Sequence, residues 1–345
     1  MSYVSRIFPT DKRAMAQVDA LLAQEGISRD KNLDYTCGIY DEDFRVIATG
    51  SCFGNTLRCF AVDHSHQGEG LLNEIISHLI DYQAGRGNIR LFLYTKPGTA
   101  KFFGDLGFYE IARVPDRLVF MENRRTGFSD YCRALAKTRR EGLSSAVVMN
   151  ANPFTKGHLH LVETAAAESD TVHLFVLSEE AGPIPFAVRR RLVRQGVAHL
   201  PNVICHDSGP YIISAATFPS YFLKDEETVS AAHAKLDLTV FGYIARALGV
   251  TVRYVGQEPD SGVTALYNRT MAECLPEVGV VCRVIPRLMS GGRVVSASTV
   301  RQAIHDGKLA AVADMLPPAT AAYFTSPEAE LVIRAIQREK EVRHH

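Results

Sequence analysis

The sequence lacks a Cys-x-x-Cys pair, a net charge and an apolar run of membrane length; it also lacks tryptophan, which by itself excludes nothing. Seven cysteines, an odd number without paired spacing, argue against a disulfide framework or a structural zinc site and fit a reducing cytosol. Lys plus Arg and Asp plus Glu stand at 38 each, so no overall field draws nucleic acid or an anionic membrane. Residues Met1 to Arg6 do not read as the start of a signal peptide. The expectation is a cytoplasmic protein with neither a nucleic-acid nor a membrane partner. His344 and His345 carry no functional weight, being as compatible with a tag as with native chain.

What is present is a globular composition, 46% hydrophobic and 22% charged, in 345 residues, too many for one ordinary core. The front of the chain reads as an amphipathic helix within residues 1–30, with Ala14, Val18, Leu21 and Leu22 on one stripe. Strand-like pieces follow from Tyr35 to Tyr40, Arg45 to Cys52 and Leu57 to Val62. After the polar loop His64 to Gly70, the spacing of Leu71, Leu72, Ile75, Ile76, Leu79 and Ile80 predicts a helix. A strand from Arg90 to Tyr94, a short helix through Phe103 and a last strand from Arg117 to Met121 complete this part.

That order, with Gln67-x-x-Gly70 between strand and helix and Lys101 to Phe108 downstream, resembles the GCN5-related acetyltransferase fold. The resemblance implies that Gln67, Gly68 and Gly70 grip the pyrophosphate of a coenzyme A-type arm, at the kind of helix end that suits anions. No residue here stands out as a catalytic base. We expect an acetyltransferase-like α+β domain over residues 1–122, a charged linker helix over 123–144, and a second domain over 145–345.

The second domain opens on a buried-strand run, Ala146 to Met149, which breaks at Asn150 and resumes as a helix with Leu159, Leu161, Val162 and Ala165 in register. The junction between them, Asn152-Pro153-Phe154-Thr155-Lys156-Gly157-His158, gathers free N–H groups and the positive end of a helix, which suits phosphate. Alternating strands and helices follow, with strands from Val172 to Leu177, Val203 to His206, Thr251 to Val255 and Val280 to Ile285. The final helix is expected from about Ser298 to Asp306. Alternation of this kind predicts a doubly wound, Rossmann-like parallel sheet with ligands beyond the carboxyl ends of the strands.

A second loop-to-helix junction, Ser296-Ala297-Ser298-Thr299-Val300-Arg301, offers hydroxyls, N–H groups and an arginine one turn in. The pair of motifs, T-x-G-H and S-x-S-x-x-R, resembles the HxGH nucleotidyltransferases, with Thr155 in place of the first histidine. The resemblance implies attack on the α-phosphate of ATP, with Thr155, Lys156 and His158 stabilising the reacting phosphate. Asn152, Phe154, Gly157, Ser296, Ser298, Thr299 and Arg301 would line the nucleotide and phosphate site, and Mg²⁺ would arrive with ATP. No permanently bound cofactor and no protein-held metal are expected.

Fragments between the motifs narrow the resemblance. Ser178-Glu179, Pro185-Phe186 with Arg189, Tyr211 to Lys224, Leu236-Asp237, Arg253 to Pro259, and Thr264-x-x-Tyr267-Asn268 are similar to citrate lyase ligases and run in family order. That family implies ATP and acetate forming acetyl-AMP and pyrophosphate. The acetyl group then passes to the thiol of a dephospho-coenzyme A-type prosthetic group on the acyl carrier protein subunit of citrate lyase, releasing AMP. Acetate is already an anion and needs no base. The resemblance makes Arg189 a candidate for phosphate, and Tyr221, Lys224, Glu258 and Asn268 candidates for an acetate or ribose pocket. Three other functions stay open on the residues: an adenylyltransferase forming a stable dinucleotide, an ATP-independent N-acetyltransferase, and a non-enzymatic nucleotide- or carrier-binding regulator.

Overall fold

The computed structural model describes residues 3–180, 182–212, 214, 218–219, 221, 226–257 and 269–339. Lys224, Glu258 and Asn268 lie outside the described residues. The chain divides into two compact units, residues 1–129 with 219–232, and residues 130–218 with 233–345. Residues 219–232 therefore group with the front of the chain, not with the second unit in whose sequence they lie.

The first unit is a seven-stranded sheet in the order β1-β2-β3-β4-β5-β7-β6. Its strands are β1 (Ser5–Ile7), β2 (Tyr35–Tyr40), β3 (Val46–Phe53), β4 (Thr56–Val62), β5 (Phe92–Thr95), β6 (Tyr109–Val114) and β7 (Leu118–Glu122). All neighbours pair antiparallel except β4 and β5, which run parallel. Helix Lys12–Gln24 is capped by Asp11, whose carboxylate accepts the Ala14 N–H, and buries Ala14, Met15, Val18, Leu21 and Leu22. Helix Leu71–Gly85 packs Leu71, Ile75, Ile76 and Leu79 into a separate apolar cluster with Leu57, Leu93 and Phe103. β1 and β6 add two strands beyond the sequence-based expectation; at three residues, β1 is too short to show an alternating pattern.

The second unit is a five-stranded, all-parallel sheet in the order β10-β9-β8-β11-β12. Its strands are β8 (Ser144–Met149), β9 (Thr171–Val176), β10 (Val203–Asp207), β11 (Val250–Gly256) and β12 (Val281–Ile285). β9, TVHLFV, is buried along its whole length, as a strand covered on both faces must be. The order reverses at β8, so β8 and β11 flank the switch point where an open α/β sheet takes its ligands. A small hairpin, β13 (Met289–Ser290) and β14 (Arg293–Val294), precedes helix Ala297–His305.

That helix is not the last. Helices Pro318–Phe324 and Glu330–Arg338 follow, and Tyr323, Phe324, Val332 and Ile336 join the core around Val147 and Leu174. Among the described residues, no helix is long and apolar enough to cross a membrane.

Candidate active site

The two motif loops meet at the carboxyl end of β8. The chain leaves β8 at Met149 and turns through Asn150 and Thr155 into helix Lys156–Ala167. The β13–β14 hairpin turns on Gly291 and Gly292, both at positive φ (54° and 75°), and delivers Val295 and Ser296 to helix Ala297–His305. Gly157 lies against this segment. A Cβ on Gly157 would stand 3.0 Å from the Val295 carbonyl oxygen, so a side chain there would wedge the loops apart. Two helix N-termini thus converge, each bringing N–H groups and a partial positive charge.

Each start is locked by its own side chains. The Thr155 hydroxyl accepts the His158 N–H at 3.4 Å, and the Thr155 N–H donates to His158 Nδ1 at 3.1 Å. An Nδ1 that accepts is unprotonated, so the neutral ring carries its proton on Nε2. His158 keeps some solvent contact, yet burial, helped by Arg287 and Arg301, pushes it down to about 4. The outcome is a neutral N–H donor of fixed tautomer. At the second start, the Ser296 hydroxyl accepts the Thr299 N–H at 3.0 Å and lies 3.0 and 2.7 Å from the Ser298 and Thr299 hydroxyls. Lys156 stands near Asp314, which a hydrogen bond from Ser290 holds below the usual carboxylate range, with Arg293 and Lys156 adding to the effect.

Arg301 is almost fully buried and donates to the Asn152 main-chain carbonyl, tying the second motif to the first. Asn152 is itself buried, and its Oδ1 finds no hydrogen-bond partner among the described residues. An orphaned acceptor is costly to keep, and its place in the loop suits a polar group of a bound ligand.

Two expected phosphate-site residues are placed elsewhere. Arg189 does not face the loop junction as a free guanidinium. It is buried, and it donates to the carbonyls of Ile184 (3.1 Å), Asn150 (2.7 Å), Leu177 (2.9 Å) and Glu179, and to Asn150 Oδ1 (2.9 Å). It is a clamp on the ends of β8 and β9. The neighbouring basic residues of the run Arg189-Arg190-Arg191 with Arg194 form a solvated face: Arg190 and Arg194 pair with Asp207, and Arg191 with Glu328. Phe154 is likewise a core residue, its ring filling the space that Gly196 leaves and stacking on His158 with centroids 5.9 Å apart. It supports the histidine from behind.

Tyr221, expected with the acetate or ribose pocket, is packed in the first unit beside Ile7, Leu21 and Ala61. Gln67, Gly68 and Gly70 are in that unit too, on the rim of a cavity of about 460 Å³ lined also by Phe60, Tyr94 and Phe103. Gly70 holds φ at +81° at the start of helix Leu71–Gly85, and no side chain caps that start. Arg287 was not picked out from the sequence. It follows an unremarkable strand and donates to the Gln257 carbonyl at 2.7 Å, close enough to His158 for its charge to act on the ring.

Fold and site together define an α/β protein with a mixed-sheet α+β unit and a doubly wound unit whose switch point carries two facing helix starts. Residues 144–324 match the family described as the citrate lyase ligase C-terminal domain. Relatives include the citrate pro-3S-lyase ligase of Klebsiella pneumoniae, 39% identical over 91% of this chain and 93% of that protein. The proteins of the same name from Haemophilus influenzae and Escherichia coli are 35% and 36% identical, over 91% and 92% of this chain and 96% and 92% of theirs. A solved putative acyl-CoA N-acyltransferase from Klebsiella pneumoniae aligns with 35% of this chain and 96% of its own, at 22% identity and a TM-score of 0.31. The chain belongs to the citrate lyase ligase family and is a ligase.

Proposed function

We propose that this ligase activates citrate lyase by acetylating the thiol of the dephospho-coenzyme A-type arm on its acyl carrier protein, at the expense of ATP. In the first step an acetate oxygen attacks the α-phosphorus of ATP and the bond to the bridging oxygen of the β-phosphate breaks. Acetyl-AMP forms and pyrophosphate leaves. The thiol sulfur then attacks the acetyl carbonyl, AMP leaves, and the thiol proton is released. The observation that carries this reading is the convergence of the two helix starts across Gly157 and Val295, with the His158 Nε2–H as a neutral donor beside them.

In this scheme the N–H groups around Thr155 to His158 and Ser296 to Thr299 hold the phosphates, and Lys156 and Arg287 offset their charge. His158 donates to the α-phosphate as charge builds on it, a role that needs no proton transfer. Arg301 acts by fixing the Asn152 carbonyl. Mg²⁺, as the usual companion of ATP phosphates, enters with the substrate. The loop Gln67 to Gly70 and the cavity behind it hold the arm of the carrier.

ATP–pyrophosphate exchange measured with and without acetate tests the proposal. Exchange that depends on acetate is expected, and exchange indifferent to acetate overturns it.

A further inference from the structure

The loop between β8 and helix Lys156–Ala167 carries two asparagines that are used differently. Asn150 is committed to the fold: its main-chain carbonyl and its Oδ1 both accept from Arg189, at 2.7 and 2.9 Å. Asn152 is held as firmly through its main chain, whose carbonyl accepts from Arg301. Its carboxamide packs directly on Gly182, where a Cβ would overlap Asn152 Nδ2, so only glycine lets this backbone approach so closely. Between the two asparagines, buried Ala151 holds φ at +53°, a conformation costly for a residue with a Cβ. Yet Asn152 Oδ1 accepts nothing. The residue is 3% exposed, and this oxygen has no hydrogen-bond partner among the described residues.

A buried acceptor left unpaired costs free energy that an apolar side chain of similar shape would not. The oxygen also lies where a ligand is expected, beyond the carboxyl end of β8 and shortly before Thr155, the N-cap of the first converging helix. Chemistry limits what it can pair with. The oxygens of the ATP phosphates and of acetate are anionic and only accept, so neither group satisfies Oδ1. The hydrogen-bond donors of ATP are the 6-amino group of its base and its ribose hydroxyls, all on the nucleoside.

We infer that Asn152 selects the nucleotide, its Oδ1 accepting a hydrogen bond from an N–H or O–H donor of the nucleoside part of ATP. This rests on the ATP site proposed above. An analogue without that donor leaves the buried oxygen unpaired, and one carrying an acceptor there sets two acceptors against each other. The site therefore rejects both. Arg301 and Gly182 hold the acceptor in place before the nucleotide arrives, so little ordering remains for binding to supply.

Calorimetric titration of the full chain, without acetate, with the magnesium complexes of ATP, inosine triphosphate, 2′-deoxy-ATP and 3′-deoxy-ATP tests this. One of the three analogues should bind about tenfold more weakly than ATP or worse, and it names the donor: the amino group for inosine triphosphate, the missing hydroxyl for either deoxynucleotide. Asn152→Leu should bring that analogue within about threefold of ATP. Its Tm should not fall, since an unpaired buried acceptor is replaced by an apolar group of similar shape. Equal binding of all four nucleotides by the wild type overturns the inference, and this outcome needs no variant to fold. A folded Asn152→Leu protein that keeps the wild-type preference overturns it too. Selective ATP binding without acetate-dependent exchange leaves Asn152 in this role and overturns the acetate reaction instead. No binding of ATP at millimolar concentration overturns both.

Discussion

Gly157 and the carbonyl oxygen of Val295 are so close that a Cβ on the glycine would stand 3.0 Å from that oxygen. The neighbour is main chain and can yield only if the β13–β14 hairpin moves. Gly157→Ala should therefore separate the two helix starts while improving local helix propensity, so its effects on stability nearly cancel. Acetate-dependent exchange should fall by roughly 10-fold to 100-fold, because sub-ångström displacement of positioned donors is costly. Parallel exchange assays and thermal melts check this. An unchanged exchange rate would show that the contact does not position the site.

His158→Ala removes the Nε2–H donor and should reduce acetate-dependent exchange by about 10² to 10³, the usual cost of losing one such donor. The fold should survive, since Thr155 still caps the helix through its hydroxyl. Because the ring is held down to about 4, it stays neutral across the ordinary working range. Exchange should then show no loss attributable to His158 as pH falls from 7.5 to about 5.5. An activity step near 6.5 that His158→Gln abolishes would contradict the neutral-donor assignment.

Arg189→Ala should behave as a core lesion. Removing the guanidinium orphans the buried carbonyls of Leu177, Asn150 and Glu179, each loss worth about 1–3 kcal/mol. A drop in stability of several kcal/mol is expected by the same reasoning, with KM for ATP little changed in whatever protein remains folded. Arg189→Lys should not rescue it, since one ammonium cannot reach the spread of acceptors a guanidinium serves. A raised KM for ATP at normal stability would return Arg189 to the phosphate site.

Arg189 also marks the limit of what could be read without coordinates. The strand–loop–helix at Met149 to His158, the second motif at Ser296 and the parallel sheet were legible because period, capping residues and glycine act locally. Whether an arginine in a basic run points to solvent or into a bed of carbonyls depends on which turn of the helix faces the sheet, and RRR carries no such phase. Tyr221 was misplaced for a longer-range reason. Residues 219–232, in which it lies, group with the first unit and its apolar cluster of Ile7, Leu21 and Ala61, although the chain on either side belongs to the second, a connection that no local pattern encodes. The helices after His305 went unnoticed because each is short, and their apolar residues make sense only against the core they cover.

Gly70→Asp probes the arm-binding loop. At φ +81° any side chain is strained, and aspartate is among the least penalised. Its charge would face the pyrophosphate of the arm. The carrier concentration giving half-maximal acetylation should rise about tenfold or more, as expected for a like charge set against a bound anion. Acetate-dependent ATP–pyrophosphate exchange should be unaffected. If both activities fall together in a well-folded variant, the loop does not serve the arm alone.

His173 on β9 and His206 on β10 are buried with Nδ1 and Nε2 2.9 Å apart, one donating and the other accepting, so at most one of them can carry a charge, and burial disfavours that one too. Burial pushes each down to about 4, and for His173 the neighbouring His206 and Arg140 add to it. Unfolded, each would titrate near 6.5. The native state therefore binds fewer protons than the unfolded chain between those values. Stability from the pair is complete above about 6.5 and is lost as pH falls toward 4. His206→Gln keeps a hydrogen-bonding side chain that cannot be protonated. It should cost about 1–2 kcal/mol at pH 7 through poorer packing against Phe175 and His173, yet flatten the decline of Tm between pH 6.5 and 4.5. His158 titrates in the same window but is partly exposed, so its share is smaller. Melts of both proteins across that range separate the contributions. An undiminished slope in His206→Gln would assign the acid loss to groups outside the pair.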